Sequence, residues 1–127
     1  MKKFISAILL AMSLMMALSM NLQAKEWYEQ ATLHDATMKQ WCKADNKSKL
    51  ATAGNFVAVG YKDKLFKPEI IDAIDKSGMD GIKLMAQQVV NGLDKASCDG
   101  KKATPESSNQ SVEDVAVMLI ALMQWLK

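Results

Sequence analysis

The chain has 127 residues, half of them hydrophobic, with 16 basic residues, 14 acidic residues and one histidine. Every basic residue is a lysine, so nothing can fork onto phosphate or guanine, and the near-neutral balance argues against nucleic acid as a partner. The length suits one domain with one core, small enough for a covalent staple to matter.

Lys2 and Lys3 precede an apolar run from Phe4 to Met20 and a small-residue exit at Leu22-Gln23-Ala24, the order of a secretory signal peptide. Residues 1–24 are expected to be cleaved, leaving 25–127 as a single helical domain in the periplasm or outside the cell, with no membrane span. The rival reading is an uncleaved anchor, because a run of about 17 residues is near the short limit for crossing a bilayer. No cysteine follows the exit to accept a lipid. Loss of Lys2 and Lys3 leaves 14 lysines against 14 acids, a formally neutral chain. Two cysteines remain, Cys42 and Cys98, and in an oxidising compartment they read first as a disulfide. Closing a loop of about 55 residues is worth roughly 4 kcal/mol on the chain-entropy estimate. Free thiols or a metal site are the alternatives.

A helical pattern begins at Thr32, with Thr32 as N-cap, Asp35 at N3, and Leu33, Ala36, Thr37, Trp41 and Ala44 near one stripe. Asp45-Asn46 breaks and caps, after which Leu50, Ala53, Gly54, Val57 and Tyr61 recur as one apolar face. Ala51, Ala58 and Gly60 beside it are small enough for a partner helix to approach closely. Pro68 occupies a first helical position, with Glu69 and Asp72 near the positive end of the dipole and Ile70, Ile71 and Ile74 as anchors. Ser77 to Gly81 interrupts, and Ile82, Met85, Ala86, Val89, Val90 and Leu93 build a further stripe ending near Cys98-Asp99-Gly100. Lys101 to Gln110 reads as a mobile polar loop, spanning 99–110 with its flank. Ser111 caps a last helix with Asp114 at N3, and Val115 to Met123 is apolar without a break. Such a helix is expected in the middle of a bundle; otherwise one face, around Trp125, waits for a partner. The fold class is therefore all-α, a bundle of four or five helices.

Catalytic schemes are limited by the single His34, since Asp35 beside it points elsewhere on a helix and no nucleophile elbow, phosphate loop or paired-histidine motif occurs. No enzyme activity and no cofactor are expected. His34, Met38 and Cys42 stand at i, i+4 and i+8 and would offer imidazole, thioether and thiol along one helical stripe, a set suited to Cu(I). Against it stand the competing disulfide for Cys42 and an ordinary helix-face role for Met38.

Trp41-Cys42, the helix Leu50 to Ala58, Cys98 closing a later helix and a polar loop before a final helix together resemble acid-activated periplasmic chaperones of the HdeA type. The resemblance implies one Cys42–Cys98 disulfide and capture of unfolding clients in acid. Phe56-Val57-Ala58-Val59-Gly60-Tyr61 is similar to a segment of small immunity proteins that block envelope-acting amidases. Leu33-His34-Asp35-Ala36-Thr37, with Trp41 and Lys49 to Ala53, resembles uncharacterised small exported helical proteins of bacteria. The expected function is a non-enzymatic protein-binding domain, chaperone-like or stress-related, or else a dedicated inhibitor. Its partner-facing residues are expected among Leu50, Val57, Tyr61, Val115, Leu119, Leu122 and Trp125. The sequence leaves the oligomeric state open.

Overall fold

Four local signals, two polar caps, a proline and a glycine, set most of the helix boundaries in the computed structural model, which describes residues 26–127. The signal peptide expected over 1–24 lies outside the described residues. Helix α1 runs Met38–Lys43, α2 Asn46–Lys62, α3 Pro68–Ser77, α4 Met79–Ser97 and α5 Val112–Leu122. The fold is essentially all-α, with one small antiparallel pair, β1 (Cys98–Asp99) and β2 (Lys102–Ala103).

Asp45 caps α2 by accepting from the Ser48 amide at 2.8 Å, and Ser111 caps α5 by accepting from the Asp114 amide at 3.1 Å. Pro68 sits at the start of α3, where its missing N–H costs nothing. Gly78, at φ 62°, ends α3 and begins α4 in one residue. That left-handed turn is open to glycine without strain.

The start of α1 differs from the sequence expectation. The helix begins at Met38, not after Thr32, and Thr37 is its N-cap in a reciprocal box with Gln40. Tertiary pairing decides between the two threonines. Thr37 forms an antiparallel bridge with Ser111, the Met38 amide donates to Gln110 O, and the Val112 amide donates to Ala36 O. These bonds hold Thr37 in extended backbone, so the helix cannot start earlier.

Residues 99–110 are likewise more tied down than a free loop. Two of them pair in β2, the Thr104 amide donates to Ser97 O, the Lys39 amide donates to Ser108 O, and Ser107 is buried.

Helices α2 and α4 pack together more extensively than any other pair, and α3 and α5 each lean on α4. The core gathers Met38, Trp41, Val57, Phe66, Ile74, Val89, Leu93, Val112 and Ile120 from all five helices and the α2–α3 link. The glycines of α2 serve rings rather than a neighbouring helix. A Cβ at Gly54 would lie 2.5 Å from the Trp27 ring, and one at Gly60 would lie 2.3 Å from Phe66. Gly92 of α4 is the position where a helix does approach, through Leu119 of α5.

Helix α5 is the largest departure from expectation. It is not enclosed: Val112, Ala116 and Ile120 are buried, but Val117, Met118 and Leu122 are 53, 60 and 74% exposed. The chain has no further element to lay over it among the described residues, so a helix apolar on all sides ends up with one side wet.

Candidate functional site

Cys42 and Cys98 form the disulfide, linking α1 to the end of α4. Around it the polar groups are fully matched. Lys49 is buried at 6% exposure and places its ammonium 3.1 Å from Asp94 Oδ1, while the Trp41 indole N–H donates to the same oxygen at 2.9 Å. The Lys49 ammonium also lies 5.8 Å from the Trp41 ring centre, within range of the ring's negative face. No buried side-chain nitrogen or oxygen among the described residues lacks a partner. The disulfide, the ion pair and the indole make this end a closed structural unit, on whose surface Asp94 lines a cleft of about 390 Å³ with Asn46, Leu50, Gln87, Val90 and Asn91.

The opposite end of α2 is different. Residues of α2 and α5 line an apolar groove of about 420 Å³. Phe56, Val59 and Gly60 form one wall and Val117 and Ile120 the other, with Leu65, Phe66 and Leu126 closing the end. Its polar lining is confined to His34, Asn55 and Glu113.

The closed end follows from how the two helices stop. Lys64 and Gln124 both take left-handed backbone, at φ 56° and 63°, just beyond α2 and α5. The segments that follow then pair with each other through a Phe66–Leu126 bridge, with the Lys67 amide donating to Trp125 O and the Lys127 amide to Leu65 O. Phe66 is thereby fixed beneath Gly60, edge-on to Trp125 with ring centres 6.2 Å apart. His34 packs edge-to-face on Phe56 at 5.4 Å.

The sequence-chosen contact residues divide sharply. Val57 is fully buried and cannot touch a partner in the folded protein, because its side chain fills the core between α2 and α4. Leu50, Tyr61, Val115, Leu119 and Trp125 are half-buried and packed against that core. Tyr61 donates its hydroxyl to Asp75, tying α2 to α3, and this bond holds the phenol above its usual pKa. Leu122 alone is strongly exposed. The groove residues Phe56, Val59, Leu65, Val117 and Leu126 were missed. They come from α2, the α2–α3 link, α5 and the tail beyond it, and the unbroken apolar run of α5 signals only Val117 in advance.

The copper set is not assembled. His34 lies before α1 rather than on it, Met38 is fully buried, and the Cys42 sulfur is bonded to Cys98. No cluster of three histidine, cysteine or acidic side chains stands close enough to hold a metal among the described residues. No described helix is long and apolar enough to cross a membrane. No family model, curated protein or solved structure matches the chain.

Proposed function

We propose that this is an exported, non-enzymatic domain that holds an apolar segment of another protein in the groove between α2 and α5. The observation that carries the reading is the groove itself, an apolar cleft opening between exposed Val59, Leu65 and Val117 on a protein small enough to have buried them had a further element been present. No serine, threonine, cysteine or lysine lines it, and its only groups of nucleophilic type are the His34 imidazole and the Glu113 carboxylate. His34, Asn55 and Glu113 supply the polar edge that orients a bound segment.

A photo-crosslinking residue placed at Val59 should capture discrete protein partners in the envelope, and the same residue at exposed Lys95 should not. Val117→Glu should abolish the adducts while changing stability by no more than about 0.5 kcal/mol, since Val117 is a surface residue. Equal capture from both positions, or none from Val59, removes the reading.

The chaperone-like version draws support from the resemblance to acid-activated chaperones and from the Cys42–Cys98 bond, which would keep an opened chain compact in acid. Suppression of client aggregation at about pH 3 and at pH 7, with an apolar dye reporting exposure, separates it from a dedicated inhibitor. A chaperone protects many clients in acid only; an inhibitor holds one partner at both.

A further inference from the structure

The outer ridge of α5 is a second surface, distinct from the groove floor, and it consists of Met118, Ala121 and Leu122 with Val117 at its edge. Helical geometry sets these four side by side, since their positions at i, i+1, i+4 and i+5 fall within about 140° of the helix circumference. No charged residue interrupts them. The charges lie at the two ends and are of opposite sign.

At the N-terminal end stand exposed Glu113 and Asp114, joined by Asp35, whose neighbour Ala36 is hydrogen-bonded to Val112. Lys39 is the base that the 108–112 pairing brings nearest. At the C-terminal end, the Lys67–Trp125 and Lys127–Leu65 backbone bonds gather Lys64, Lys67 and Lys127. That end stays basic with Lys62, Asp63 and Glu69 counted.

An apolar strip with an acidic end and a basic end is complementary to itself when turned through a two-fold axis. Antiparallel pairing of two α5 ridges covers Met118 and Leu122 of both chains, sets each acidic end against the other's basic end, and opposes the two helix dipoles. An anionic membrane is a poorer occupant, because the acidic end would be repelled from it. We infer that a second copy of this chain covers the α5 ridge, giving a two-fold dimer centred near Met118. This goes beyond the groove reading and stands without it.

Sedimentation of the protein across the micromolar to millimolar range should show a monomer–dimer equilibrium. Leu122→Glu should shift it to monomer with the helical circular dichroism retained. The pair E113K/D114K should also be monomeric, as should K64E/K67E, and mixing the two should restore association as a heterodimer. Should a charge-reversed chain fail to fold, Met118→Cys provides an independent reading. It should join two chains by a disulfide under mild oxidation, whereas Lys95→Cys should not. A monomer at every concentration, a dimer indifferent to Leu122→Glu, or a ridge that binds anionic vesicles in preference to its own copy overturns the inference. Loss of groove adducts from Val59 bears on the earlier reading and leaves this one untouched.

Discussion

The two ends of α2 solve opposite problems. Near its start, Lys49, Trp41 and Asp94 close around the Cys42–Cys98 bond with each polar atom matched. Near its end, Phe56, Val59 and Gly60 face a groove that Val117 and Leu65 leave open. On the proposed function, stability and recognition fall in different halves of one helix. A domain of this size cannot leave much apolar surface open without compensation, and the disulfide end is where the compensation lies. Variants at the two ends should therefore differ in kind, with folding affected at one and binding at the other.

The largest effect expected is from Cys42→Ala with Cys98→Ala. Removing the cross-link should lower stability by roughly 4 kcal/mol in denaturant titration, a large part of the 5–15 kcal/mol typical of natural domains. Groove adducts should fall in proportion to the folded fraction and no further. Binding lost ahead of folding would mean that the two ends are coupled and would break the comparison.

Asp94→Ala comes next. It leaves a buried ammonium and an indole N–H without their acceptor, and about 2 kcal/mol of destabilisation is expected given that the Asp94 side chain is 35% exposed. Lys49→Met together with Asp94→Leu should recover part of that loss, because an apolar pair leaves no charge stranded. An Asp94→Ala protein as stable as the parent would show that this end is not the closed unit described.

Gly60→Ala tests the boundary between the halves. Its Cβ would meet the Phe66 ring at 2.3 Å, and that ring is buried and held from below by the Phe66–Leu126 bridge. A stability loss of about 1–2 kcal/mol is expected. Unlike the variants above, it should also weaken adducts from Val59 beyond the loss of folded protein, because the groove end shifts with Phe66. Gly54→Ala is the control, since the ring it displaces, Trp27, lies outside the groove.

The halves were unequally legible in the sequence. Asp45 and Ser111 bond to their own helices, Pro68 fits a first turn and Gly78 takes a positive φ, all local effects that pattern reading finds. Thr32 and Thr37 carry nearly the same local signal, each with a polar residue three positions on, and only the pairing of Thr37 with Ser111 chooses between them. The groove was hidden for the same reason. His34, Phe56, Leu65, Glu113 and Leu126 have no common spacing, and the left-handed turns at Lys64 and Gln124 that bring two of their segments together lack the glycine that would have announced them. The uniform apolarity of α5 was visible, but in a chain with more helices it would have meant burial.

The smallest effect expected is at the Asp45 cap, and it carries a pH signature. The Ser48 hydrogen bonds to its carboxylate hold Asp45 below the usual carboxylate pKa, with Lys47 adding a lesser share. A folded pKa below the unfolded one means that ionised Asp45 favours the folded state. That contribution is fully present above the unfolded pKa and disappears as pH falls through the folded one. Asp45→Ala should accordingly lower Tm slightly at neutral pH, and the gap between variant and parent should narrow as acid protonates the parent's cap. Asp45→Asn, which keeps the acceptor and drops the charge, should fall between them at neutral pH and, like Asp45→Ala, lose nothing at this position on acidification. Because the cap lies at the disulfide end of α2, none of the three should alter groove adducts at neutral pH. A change there would mean that fraying at the start of the helix reaches Val59, about four turns away.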